Sequence, residues 1–170
     1  PILLDVKSSE AALRLVESAG AAAQIWKTGH SHMKKRMKEL EAPLAGEMSG
    51  HIFIADDYLG FDDAIYAAVR VITQMVNGGQ SITEFMDSLP EQHATPELRI
   101  DCPDTVKFDS MEKIRAHVLA GHDAADVNSI DGVRVRSGGG WWLIRASNTE
   151  AALVARAEAA DRTALDRLLG

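Results

Sequence analysis

Five consecutive residues, Arg145-Ala146-Ser147-Asn148-Thr149, hold the densest set of groups able to do chemistry. An arginine offers a planar fork of N–H donors suited to phosphate oxygens. Serine and threonine hydroxyls, an asparagine amide and the N–H groups of a turn can surround the oxygens that remain. An ordinary polar turn between strands has the same composition, so the loop alone leaves both readings open. A second set is Gly46-Glu47-Met48-Ser49-Gly50-His51. Glu47 and Ser49 can hydrogen-bond sugar hydroxyls, the glycines let backbone turn closely around a ligand, and His51 can exchange a proton near neutral pH. A third is Lys27-Thr28-Gly29-His30-Ser31-His32, where a glycine before a helix N-terminus resembles an anion site. His30 and His32 also raise the idea of a metal pair, but no third ligand is apparent nearby, so no metal site is expected.

The elements that must position these loops follow from hydrophobic patterning. Residues 1–7 read as a buried strand, and Ser8 or Ser9 can cap the helix that follows, with Gly20 at its end. Residues 23–27 read as a second strand. Ser31 can cap a helix in which Met33, Met37 and Leu40 recur at helical spacing, before Pro43 and Gly46 interrupt it. Residues 51–55 read as a third strand. Ile65, Val69, Ile72 and Val76 then form one stripe of a helix that starts after Asp62-Asp63 and stops at Asn77-Gly78-Gly79. Strands alternating with helices predict a largely parallel sheet with helices on its faces. A strand that opens at the first residue suggests a chain cut within a larger unit.

Residues 80–96 read as a connector with one short amphipathic piece, flanked by Pro90 and Pro96. After it come a strand at 98–102, a helix at about 111–120, a hairpin around Asp131-Gly132 and a strand at 141–145. The alanines of residues 151–160 favour a helix by propensity, yet their alternation fits a strand equally well. Residues 162–169 look helical.

The 170 residues are 46% hydrophobic and 25% charged, which suits a globular protein of one large or two small domains. A formal net charge of −7 argues against general nucleic-acid binding. The charge is uneven, however: Lys27, Lys34, Lys35, Arg36 and Lys38 lie close together, either as a solvated helix face or as a field that attracts an anionic ligand. No apolar stretch is long enough to cross a bilayer, and no membrane partner is expected. The single cysteine, Cys102, forms no internal disulfide and fits a cytoplasmic location.

Taken together, the motifs resemble the α-D-phosphohexomutase family. Gly46–His51 with Ile52-Phe53 is similar to its sugar-recognition loop, and Lys27–Ser31 to the stretch before that loop. Asp56–Asp63 resembles its acidic, aromatic approach to the next helix, and Arg145–Thr149 its C-terminal phosphate-binding loop. The resemblance covers nearly the whole chain. It implies an α/β three-layer domain over residues 1–79, with a mixed or parallel sheet and helices on both faces. This corresponds to the family's third domain, starting late. After the connector at 80–96, residues 97–170 would form a small α+β domain related to the TATA-binding-protein fold. There residues 151–159 are a strand, which overrules alanine propensity.

The resemblance further implies an enzyme that interconverts hexose 1-phosphates and hexose 6-phosphates of mannose or glucose. A phosphoserine would pass its phosphoryl group to the substrate through a glucose or mannose 1,6-bisphosphate intermediate, with magnesium neutralising charge. Neither a phosphoserine loop nor an aspartate-rich metal loop is present in this sequence. The chain would therefore need further domains of the same protein and be inactive alone. By the same resemblance Glu47 and Ser49 bind the sugar, and Arg145, Ser147, Asn148 and Thr149 bind phosphate. Lys7, His30 and His51 are candidates for electrostatic help and proton transfer. The alternative is a non-catalytic module that binds a sugar phosphate. A purely structural interaction protein is disfavoured by the density of ligand-type motifs.

Overall fold

A computed structural model describes all residues, Pro1–Gly170, as two compact units, Pro1–Pro90 and Glu91–Gly170. No helix is long and apolar enough to cross a membrane.

The first unit is built on a four-stranded sheet of β1 (Ile2–Asp5), β2 (Ala23–Trp26), β3 (Leu44–Gly46) and β4 (Ile52–Ile54), in the order β2-β1-β3-β4. β1 runs parallel to β2 and β3, while β4 is antiparallel to β3. β3 is absent from the sequence reading, which saw only an interruption at Pro43 and Gly46. Alternation along the strands sends Leu3, Ala45 and Phe53 to one face. There they form a core with Met33 and Met37 of α2 (His30–Leu40). Leu3 and Phe53 are fully buried, each contributing roughly 1.5–3 kcal/mol relative to an exposed side chain. Helix α1 (Glu10–Ser18) starts where the Ser9 side chain accepts from the Ala11 N–H, as one of the two expected caps. Ser31 does not cap α2. The N-cap is Gly29 at φ 123°, with no side-chain bond, and Ser31 falls within the first helical turn.

The opposite face of the sheet carries Ile2, Leu44, Ile52 and Ile54. With α3 (Ala64–Gly78) and α4 (Ile82–Asp87) it lines an open, mostly apolar groove of about 890 Å³. Helices thus lie on both faces, as the fold class required. The stripe that revealed α3 does not face the core: Ile65, Val69, Ile72 and Val76 are all exposed, and the buried residue is Ala67. Gly79 ends α3 in the left-handed region at φ 66°, a conformation that favours glycine. The segment expected as a connector is substantially ordered. A Ser81–Glu84 capping box closes the start of α4, and the division between units falls after Pro90.

The second unit is an antiparallel sheet in the order β5-β10-β9-β8-β7, with β6 also paired to β10. Its strands are β5 (His93–Ala94), β6 (Leu98–Asp101), β7 (Val127–Asn128), β8 (Val133–Ser137), β9 (Gly140–Ala146) and β10 (Ala152–Ala159). The alanine-rich segment is therefore a strand, buried along most of its length. Residues of α5 (Lys107–Gly121), chiefly Met111 and Val118, cover Val133, Val135 and Leu153. Ala164 and Leu165 of α6 (Arg162–Leu169) cover Ala157 and Ala159. Asp161 caps α6 by accepting from the Ala164 N–H at 2.7 Å.

Candidate functional site

The carboxyl ends of the parallel strands β1, β2 and β3 open onto the loops that carry most of the sequence-predicted groups, the usual place for ligands in open α/β sheets. Asp5, the last residue of β1, is fully buried and ties these loops together. Its Oδ1 accepts from the Ser8 hydroxyl at 2.7 Å and the Met48 N–H at 3.1 Å, and its Oδ2 accepts from the Thr28 hydroxyl at 3.0 Å. Each partner belongs to a different loop. Sequence reasoning missed Asp5. The available signal was a lone carboxylate closing an apolar strand, a position that demands partners.

Lys7 is buried in the turn after β1. Glu47 is also buried, and its two oxygens are both engaged. Oε1 accepts from the Gly29 N–H at 2.9 Å and Oε2 from the Ser49 hydroxyl at 3.3 Å. Glu47 thus locks the loop before α2 to the loop after β3. Ser49 itself is exposed.

The His30–His32 pair that the sequence analysis set aside does not form, but another pair of histidines does. His30, in the first turn of α2, meets His51 rather than His32, with ring centroids 4.4 Å apart, edge to face. Phe53 lies beneath the His30 ring at 5.3 Å. His51 Nδ1 is 2.8 Å from Asp62 Oδ2, and His30 Nε2 is 3.6 Å from the same oxygen. Asp62 is a second missed residue. Its Oδ1 accepts from the Ile52 N–H at 3.3 Å, and its backbone forms a bridge with Phe53. Asp62 therefore supplies the third ligand type that the sequence reading could not find. With the Nδ1 proton donated to Asp62, the Nε2 of His51 carries a lone pair able to accept a proton.

The approach to α3 is held by Asp63 and two tyrosines. The Asp63 carboxylate accepts from the Tyr66 N–H at 2.9 Å and the Tyr58 hydroxyl at 2.7 Å, which hold its pKa below the ordinary carboxylate value. Reciprocally, the hydrogen bond to Asp63 raises the pKa of Tyr58. The rings of Tyr58 and Tyr66 stack at 3.6 Å.

In the second unit Arg145 lies near the end of β9, buried, with Nε donating to Asp131 Oδ2 at 3.0 Å. Its Nη2 is buried without a hydrogen-bond partner. Asp131 reaches Arg145 from the hairpin between β7 and β8. Gly132 makes that approach possible. At φ 75°, a Cβ added there would lie 2.2 Å from the Ile144 carbonyl oxygen. In the following turn the Ser147 hydroxyl oxygen accepts from the N–H groups of Thr149 and Glu150, so this part of the loop closes on itself. Asn148 and Thr149 are exposed. Lys107, also missed from sequence, is buried and fixes the far side of the turn by donating to the Glu150 carbonyl at 2.9 Å.

The sequence matches two family descriptions in succession. Residues 1–93 match "Phosphoglucomutase/phosphomannomutase, alpha/beta/alpha domain III", and residues 97–169 match the C-terminal domain of the same family. Among curated relatives, a "Phosphomannomutase/phosphoglucomutase" of Pseudomonas putida is 42% identical over 98% of this chain, and its Pseudomonas aeruginosa counterpart is 38% identical. A "Phosphoglucomutase" of Neisseria gonorrhoeae is 36% identical. In each case the chain spans 36% of the relative's length. A crystal structure of a phosphoglucomutase/phosphomannomutase family protein from Burkholderia thailandensis superposes with a TM-score of 0.85 at 36% identity. That match covers 99% of this chain and 35% of the other.

Proposed function

The chain belongs to the phosphoglucomutase/phosphomannomutase family, and on that footing we propose that it supplies sugar and phosphate recognition to a phosphohexomutase. The whole protein would interconvert hexose 1-phosphates and hexose 6-phosphates through a bisphosphorylated sugar. The observation that carries this reading is the Asp5 network, which gathers the loops bearing Lys7, Thr28 and Glu47 at the carboxyl ends of the parallel strands. A buried carboxylate with three donors from three loops fixes loop geometry at a cost that a merely solvated surface would not require.

Within the first unit Glu47 and Ser49 present hydroxyl-binding groups. Lys7 adds positive charge, and His51, oriented by Asp62, exchanges the proton of a reacting hydroxyl. Within the second unit the Arg145 guanidinium is fixed by Asp131, and its Nη2 has donor capacity to spare. A phosphate at the mouth of the loop would meet the exposed Asn148 and Thr149 groups, and would take the Nη2 capacity if the loop opens to it, since Nη2 is itself buried. The two imidazoles and one carboxylate of His30, His51 and Asp62 do not suit magnesium, which takes oxygen ligands in octahedral array. No step is assigned to that ion on this chain.

NMR titration with inorganic phosphate and with mannose 6-phosphate tests the reading. Amide shifts are expected at Ser147–Thr149 with both ligands, and at Glu47–Ser49 only with the sugar. A charge-assisted arginine bond is worth about 1.5–3 kcal/mol, so Arg145→Ala should weaken phosphate binding roughly ten- to a hundredfold. Unmoved loop amides at saturating ligand would refute the assignment.

A further inference from the structure

We propose that His30, His51 and Asp62 form a binding site for a zinc-class divalent cation. Their ligand atoms fall within 4.8 Å of one another, and the residues come from three separate places in the first unit. His30 starts α2, His51 precedes β4, and Asp62 lies in the approach to α3. A tetrahedral zinc with ligands at about 2.0–2.1 Å separates neighbouring donor atoms by roughly 3.3 Å. The two distances from Asp62 Oδ2, 2.8 Å to His51 Nδ1 and 3.6 Å to His30 Nε2, bracket that spacing. The two histidine nitrogens lie within 4.8 Å of each other, so closing the site takes side-chain shifts of up to about 1.5 Å.

The supporting shell is already in place. Asp62 keeps Oδ1 on the Ile52 N–H and turns Oδ2 toward the histidines, so one oxygen orients the carboxylate and the other is the ligand. Phe53 packs against the His30 ring edge to face, with centroids 5.3 Å apart. Two imidazoles and a carboxylate with solvent at the fourth position are a set that zinc, cobalt(II) and nickel(II) favour and magnesium does not. The positive end of the α2 dipole lies beside His30 and opposes a cation, by about 0.3–1 kcal/mol. That is small against three metal–ligand bonds, one of them to a full negative charge.

The ion would replace the proton shared by His51 Nδ1 and Asp62. The ring proton then resides on Nε2, which loses the lone pair assigned to proton exchange, so occupancy would block the proposed chemistry. That consequence rests on the functional reading above, whereas binding of the ion does not.

The test is calorimetric titration of the 170-residue chain with zinc in excess magnesium, repeated with cobalt(II), whose visible absorption reports a low-coordinate nitrogen and oxygen environment. One ion per chain and an intense tetrahedral-type cobalt spectrum are expected. His30→Ala, His51→Ala and Asp62→Asn should each weaken binding by about a hundredfold or more, since even the loss of a partner behind a ligand costs 10–100-fold. His32→Ala, at an exposed neighbour outside the cluster, should change nothing. Circular dichroism confirms that each variant folds. Binding that survives His51→Ala, or that falls equally with His32→Ala, overturns the proposal, as does competition by millimolar magnesium. Because zinc binding and phosphate titration are read separately, failure of one leaves the other standing.

Discussion

Replacing Asp131 with alanine should destabilise the second unit far more than loss of a surface ion pair would. Arg145 and Asp131 meet at 3.0 Å, with side chains only 5% and 16% exposed. Exposed pairs contribute at most about 1 kcal/mol, but stranding one partner of a buried pair costs about 3–5 kcal/mol. Asp131 keeps some water contact, so the lower end applies, about 3 kcal/mol. Arg145 already holds Nη2 without a partner, and Asp131→Ala would leave Nε in the same condition. For a domain of this size each 1 kcal/mol moves Tm by roughly 4–8 °C, which gives a fall of about 12–24 °C. Differential scanning calorimetry on the chain reads it directly. The double variant Asp131→Ala/Arg145→Met should recover at least half of the loss, because an apolar replacement removes the stranded charge. A drop under about 4 °C for Asp131→Ala, or a double variant less stable than the single, would refute the view that this pair anchors the loop.

Gly132→Ala should destabilise the same unit and weaken phosphate binding together, because its Cβ would collide with the Ile144 carbonyl and push Asp131 away from Arg145. Thermal scans and phosphate titration check both effects. Phe53→Ala should cost about 3–5 kcal/mol in chemical denaturation of the first unit, since the ring is fully buried. Asp63 has its folded-state pKa lowered, so its contribution is present above the ordinary carboxylate value and is lost as pH falls through the folded pKa. Asp63→Asn should accordingly lower Tm at neutral pH, with the difference from the parent closing at acid pH. In a coupled assay with mannose 1-phosphate, bisphosphate activator and magnesium, the chain alone should give no turnover.

Elements with a strong local signature were legible in the sequence: the strand at Ile2–Asp5, the Ser9-capped helix, Met33 and Met37 against the sheet, and the helix at Arg162–Leu169. β3 was not, because Leu44–Gly46 is too short for alternation to show and follows a proline. The apolar stripe of α3 gave the right helix and the wrong face, since periodicity reports a stripe and not what covers it. Residues 151–160 needed the family resemblance to decide between alanine propensity and alternation. The loop residues Lys7, His30, Glu47, Ser49 and His51 were legible as types. Asp5 and Asp62 were not, since their meaning lies in bonds spanning 43 and 11 positions of sequence.

These two carboxylates explain why polar loops of ordinary composition hold a defined shape. The Asp5 carboxyl lies at 0% exposure, a placement that is unfavourable unless its acceptor capacity is met. Three donors from three loops meet it, so none of those loops can move without leaving a buried carboxyl oxygen short of a partner. Asp62 works at the rim in the same way, with one oxygen on the sheet and the other on the histidines. The loop side chains proposed to meet ligand are thereby positioned by groups that face the protein. The loop at Arg145 repeats the arrangement with charges exchanged: a buried cation, one acidic partner, and donor capacity left over. An unfilled buried donor is unfavourable for the isolated chain and is offset when an anion accepts from it. A buried donor alone does not single out Arg145, since Arg36 Nε is in the same condition; the proposal of a phosphate site at Arg145 rests on that donor together with the hydroxyl and amide groups of Ser147, Asn148 and Thr149 beside it.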